Sequence, residues 1–110
     1  MGWFKPIWMT ENDKKSDKAR AAVREMSAQK ELERVAAKAP LADVRETAVE
    51  KLTDQAVLAQ IVLNDSDQNI CYSAGKKLTD QTLLEKIARE HENFNIRIDA
   101  VKRITNQTAL

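Results

Sequence analysis

Apolar and polar positions along this chain follow two nested periods. The shorter is helical: Ala19, Ala22, Val23 and Met26 fall at i, i+3, i+4 and i+7, the spacing of one buried helix face. The longer spans whole segments. Leu52-Thr53-Asp54-Gln55 returns as Leu78-Thr79-Asp80-Gln81 and again as Ile104-Thr105-Asn106-Gln107, 26 residues apart each time. Flanking apolar residues keep the same register, Leu58 with Leu84, Ile61 with Ile87, Val44 with Ile70 and Ile96, and Ala48 with Ala74 and Ala100. A period of this length marks an array in which one supersecondary element cannot bury its apolar face alone and stacks on its neighbours.

Each period reads as two short helices. In the first, Thr53 or Thr79 is expected to cap the start through its hydroxyl, with Asp54 or Asp80 placing negative charge in the first turn. Leu58, Ile61 and Val62, or Leu84, Ile87 and Ala88, then face the core, and Leu32, Val35 and Ala36 hold the same places in an earlier, degenerate copy. The turns fall near Pro40, near Asn64-Asp65-Ser66-Asp67 and near Glu90-His91-Glu92-Asn93, with Asp43, Asp67 or Gln68-Asn69, and Asn95 near the starts of the second helices. Those second helices bury Val44, Ala48, Val49 and Leu52, then Ile70, Ala74 and Leu78, then Ile96, Ala100, Val101 and Ile104. The reading is therefore all-α, an α-solenoid of tandem two-helix repeats over residues 17–110, preceded by an aromatic segment and polar connector at 1–16.

That opening segment holds Trp3, Phe4, Ile7, Trp8 and Met9 with no helical or alternating period, and Pro6 disfavours helix at Lys5. Two roles are open to it. The aromatic side chains fold back over the exposed end of the first repeat, since terminal repeats need a cap, or they anchor a protein partner or a membrane surface. At the other end the chain stops at Leu110, in register with Leu58 and Leu84. An apolar edge of Ile96, Val101, Ile104 and Leu110 is expected there, closed by a second copy of the chain or by the aromatic opening of a neighbour, unless residues 105–110 simply fray.

Asp43-Val44-Arg45 and Asn95-Ile96-Arg97, each followed by an Ala-Val pair and then a Leu or Ile ahead of the next helix, resemble the second helix of HEAT-type repeats. The similarity is greatest to the short bacterial HEAT-like class named after phycobilisome lyases. Cys71 stands where that pattern has Arg. The resemblance implies a HEAT-like fold that serves as a binding surface; an accessory role in cofactor attachment follows by analogy alone, and no residue carries it.

Composition narrows the chemistry. Charged residues make up 32% of the 110, with only two Gly and two Pro, which suits helices with few breaks, and a net charge of +1 gives no general pull toward nucleic acid or acidic membrane. The single cysteine excludes an internal disulfide, and the apolar start lacks a charged n-region and is cut short by Lys5 and Pro6, so a reducing, cytoplasmic setting without a transmembrane segment is expected. Gly2 is no myristoylation signal, because Pro6 stands where Ser or Thr belongs.

Candidate chemistry is thin. His91, the only histidine, lies in a Glu-His-Glu-Asn turn with no second ligand at helical spacing, which reads as a surface residue. Cys71 follows core Ile70 and reads as a small packed residue. Gly75, inside a helix, reads as a close-packing point or a bend. No catalytic, metal or cofactor residues are expected. What recurs is cationic: Lys51, Lys77 and Arg103 close the second helices and, stacked about 10 Å apart as neighbouring helices are, form a ladder able to track phosphates. The expected function is a non-enzymatic protein–protein interaction or scaffold module with a protein partner, contacting it through Trp3, Phe4, Trp8 or the ladder; nucleic-acid binding through the ladder is the alternative.

Overall fold

The computed structural model describes residues 5–108, with side chains described through Thr105. These residues are all-helical: two short 3-10 helices, Ile7–Met9 and Asp13–Lys15, precede α1 (Ser16–Glu25), α2 (Gln29–Lys38), α3 (Ala42–Lys51), α4 (Gln55–Asn64), α5 (Gln68–Lys76), α6 (Gln81–Glu90) and α7 (Phe94–Thr108). Helices α1, α3, α5 and α7 begin at 16, 42, 68 and 94, and α2, α4 and α6 at 29, 55 and 81. Helices of about ten residues are marginal alone in water, so each depends on the face it buries.

Contacts divide the chain into two compact units, Met1–Leu52 and Thr53–Leu110. In the first, α3 packs on both α1 and α2, and the Ile7–Met9 turn lies on α1 and α2. Its core is Ala19, Val23, Leu32, Val35, Val44, Ala48, Val49 and Leu52, each fully buried. In the second, α4 packs on α5 and on α6, while α7 packs on α6 and on α5. There Leu58, Val62, Ile70, Ala74, Leu84 and Ile87 are buried as the helical register requires. No described helix is long and apolar enough to cross a membrane.

The caps differ from expectation by one residue. Asp54 and Asp80, rather than the threonines before them, are the N-caps of α4 and α6: their carboxylates accept from the Val57 and Leu83 N–H at 3.1 and 3.0 Å. Asp is as good a cap as Thr, and a carboxylate adds charge where the dipole favours it. Asp67 caps α5 by accepting from the Asn69 and Ile70 N–H, and Asn93 accepts from the Ile96 N–H in the first turn of α7.

The last helix brings two further departures. Val101 is 50% exposed, whereas Val23, Val49 and Gly75, at the matching places of α1, α3 and α5, are buried. And α7 runs unbroken to Thr108, through the Ile104-Thr105 position where α3 and α5 have already ended. A helix gains a hydrogen bond with each residue it adds, so a break is favoured where another group satisfies the backbone. Leu110 lies outside the described residues.

Candidate functional site

Three turns join an even-numbered helix to the next odd-numbered one, and all three start alike. Ala39, Asp65 and His91 follow α2, α4 and α6 in extended conformation, and their N–H groups bond back to Val35, Ile61 and Ile87 at 3.0, 2.9 and 3.1 Å. The carbonyls of such a turn lie at the negative end of a helix dipole and attract cationic donors. Two of the turns obtain one from the fourth residue of the following helix. Arg45 Nη1 donates to the Ala39 and Pro40 carbonyls at 2.9 and 3.3 Å, and Arg97 Nη1 donates to those of His91 and Glu92 at 2.6 and 3.0 Å.

The middle turn differs. Cys71 occupies the fourth place of α5, and its thiol reaches only the Asp65 carbonyl, at 3.3 Å. Beside Cys71 lies a cleft of about 510 Å³, between the α4–α5 and α6–α7 turns, lined by Asp65, Ser66, Cys71, His91, Glu92 and Asn93 among others. No lysine or arginine lines it. Burial, and then the carboxylates of Asp65 and Asp67, push the Cys71 thiol up to about 11. It is a neutral, weakly donating thiol at physiological pH rather than a nucleophile.

His91 forms the opposite wall. Its Nδ1 accepts from the Asn93 N–H at 2.9 Å, so the proton sits on Nε2, which donates to the Val62 carbonyl of α4 at 2.7 Å. The ring thus ties the end of α6 to a carbonyl in the last turn of α4, and is no loose surface group. Among the described residues no three His, Cys, Asp or Glu side chains converge in a way that could hold a metal ion.

The residues singled out in the sequence are scattered. Trp3 and Phe4 lie outside the described residues. Trp8 is only 4% exposed, in the turn that covers α1 and α2, which is the covering role rather than that of an exposed anchor. Lys51 turns its ammonium onto the end of α1, donating to the carbonyls of Val23 and Arg24 at 3.4 and 2.5 Å and to that of Met26. Arg103 pairs with Asp99 on the same helix, Nε to Oδ2 at 2.8 Å, and Lys77, half-buried at the end of α5, is also engaged in an interaction. A phosphate at Lys51 or Arg103 has to displace these bonds.

One recurring group escaped sequence reasoning, although the fourth residue of the repeated tetrad signalled it. Gln55, the first residue of α4, extends its amide across the α5–α6 break: Nε2 donates to the Lys77 carbonyl at 3.0 Å, and Oε1 accepts from the Thr79 and Asp80 N–H at 2.7 and 3.0 Å. Gln29 makes the matching bond to the Lys51 carbonyl at 3.1 Å. One side-chain amide closes one helix and opens the next, which is the physical reason for a glutamine after Leu-Thr-Asp. No protein family, curated protein or solved structure matches this chain.

Proposed function

We propose that this chain is a non-enzymatic protein-binding module, a cytoplasmic HEAT-like α-solenoid with a 26-residue period in the manner of phycobilisome-lyase-type repeats. The observation that carries the binding role is on α7. Phe94, Ile98 and Val101 are 62%, 36% and 50% exposed at i, i+4 and i+7, an apolar stripe along one helix face. Such a stripe on an otherwise charged surface is the hallmark of a helix that docks into a groove or against another helix. The solenoid reading draws support from the even spacing of the helix starts and from the recurrence of the arginine-filled turns and the glutamine clamps. A second copy of this chain, closing the stripe to give a homodimer, is the simplest occupant.

The test is affinity capture with the whole chain as bait beside a Val101→Asp variant whose helicity by circular dichroism is unchanged. A partner, or an untagged second copy, retained by the wild type and lost by the variant supports the reading. Equal recovery by both baits, or recovery of chaperones alone, counts against it.

A further inference from the structure

We infer that α7 is a helix of two forms, continuous to Thr108 in one and, in the other, broken at residues 104–106 and held there by the side-chain amide of Gln81. The inference lies within the second unit, uses no side chain of the exposed stripe, and goes beyond the proposed binding role. The fold itself supplies the template. Gln55 bridges the α5–α6 break, its Nε2 donating to the Lys77 carbonyl at 3.0 Å and its Oε1 accepting from the Thr79 and Asp80 N–H at 2.7 and 3.0 Å. Gln29 holds the end of α3 in the same way, through the Lys51 carbonyl at 3.1 Å. Gln81 opens α6 as Gln55 opens α4, and the atoms in register for it are the Arg103 carbonyl and the N–H groups of Thr105 and Asn106. Among the described residues Gln81 makes no such bridge, because α7 runs on through all three positions. The clamp is in place while its target is still wound into a helix.

The wound form is weakly held at this point. Ile104, Thr105 and Asn106 each favour a helix less than Ala or Leu does. The Thr105 hydroxyl donates to the Val101 carbonyl at 3.0 Å, a bond that competes with the backbone bond of the same turn. Unwinding gives up the backbone bonds of the residues from Thr105 on, and the clamp returns three, one to a carbonyl and two from N–H groups, as it does at Gln55. Asn106 stands in register with Asp54 and Asp80, the extended N-caps of α4 and α6, and asparagine caps a helix as well as aspartate does. In the broken form the chain from Gln107 therefore leaves the axis of α7 as α6 leaves that of α5. So few bonds separate the two forms that each lies within reach of the other.

The experiment is amide NMR on the full chain, with Gln81→Ala, Gln107→Pro and the double variant beside the wild type. The wild type should show conformational exchange on the microsecond-to-millisecond scale at residues 104–107 and at the Gln81 side-chain amide. Gln81→Ala should remove that exchange and move the Thr105 and Asn106 shifts further toward helix. Proline at 107 disfavours the continuous form, since it lacks an N–H and opposes helix at Asn106, yet it spares every atom the clamp uses and suits the first position of a new helix. Gln107→Pro should accordingly settle into the broken form. Hydrogen exchange at its Thr105 and Asn106 amides should be at least about fivefold slower than in the double variant, as for one net hydrogen bond. Simple fraying of the helix end gives no such dependence on residue 81. Absence of conformational exchange in the wild type, exchange unchanged by Gln81→Ala, or equal hydrogen-exchange rates at the two amides in Gln107→Pro and the double variant would overturn the inference. So would global unfolding of Gln107→Pro, since the break lies beyond Ile96 and Ala100, the buried residues of α7.

Discussion

At Gly75 a single missing methyl has a readable consequence. A Cβ built there lies 3.9 Å from Val62 Cγ2 and 4.0 Å from Asp99 Oδ2, ordinary contact distances, and a small void of about 10 Å³ is lined by Gly75, Val62 and Asp99 among others. Close packing therefore does not require this glycine, contrary to one of the two readings of the sequence. Gly75→Ala should raise stability by about 0.5–1 kcal/mol, from helix propensity and a less flexible unfolded chain; urea unfolding measures it, and a loss instead of a gain would show that the void is not open to a methyl group. Cys71, four residues earlier, ties stability to alkaline pH. Its folded value of about 11 lies above the ordinary thiol value of 9.0, so the folded chain holds its proton longer than the unfolded chain does. The contribution is whole below pH 9, and it is lost as pH rises toward 11 because ionisation then favours the unfolded chain. Wild type should accordingly lose more stability than Cys71→Ser over that window, as paired unfolding curves would reveal; parallel curves would mean that the thiol is not held neutral.

Helix breaks are where local rules and distant side chains meet. Gln55 bridges 22 to 25 positions of chain to reach Lys77, Thr79 and Asp80, so Gln55→Ala leaves one helix end and one helix start short of partners together. The expected loss is about 1–3 kcal/mol, as for two or three net hydrogen bonds, with hydrogen exchange accelerated at the Thr79 and Asp80 amides ahead of the rest of α5 and α6. Exchange unchanged at those two amides would remove the clamp as the reason for the break. This element also shows what was legible in the sequence. Helix positions followed from apolar spacing, because burial of Leu58, Leu84, Ile61 and Ile87 leaves one register open. Caps were harder: Thr53-Asp54 and Thr79-Asp80 each offer two good capping side chains in a row, and only backbone geometry chooses Asp. The clamp and the His91–Val62 bond were not legible at all, since each joins residues more than twenty positions apart and neither leaves a local signature beyond one polar side chain. The cleft was half-legible: the sequence marked Cys71 as standing in an arginine's place, but not that the arginines of the other copies serve the turn carbonyls.

On the scale of the molecule the question is what closes α7. At the places of Val101 in the earlier helices, Val23, Val49 and Gly75 are covered; Gly75 is within contact distance of Asp99, on α7 itself. In the second unit, then, an odd-numbered helix covers this position of the one before it, and α7 offers the same position bare, beside Ile98 and Phe94. Arg97 lies over the Phe94 ring at 5.6 Å, holding the ring along the stripe while leaving it exposed. In unit one the turn that carries Trp8 lies on α1 and α2, and for the α7 stripe an apolar surface of matching shape is the stripe of another copy. Two copies related by a two-fold axis satisfy this, because an isologous contact sets each residue of the patch against the same patch. Light scattering across a concentration series should therefore show the mass rising from 12.5 kDa toward its double as the chain reaches high micromolar concentration. Val101→Asp, which sets a charge in the middle of the patch, should hold it at the lower value, and deletion of residues 1–10 distinguishes the stripe from the aromatic opening as the contact: if the stripe closes on itself, association survives the deletion. A wild-type mass that stays monomeric throughout the series removes self-association, and leaves the stripe to a partner of a different sequence.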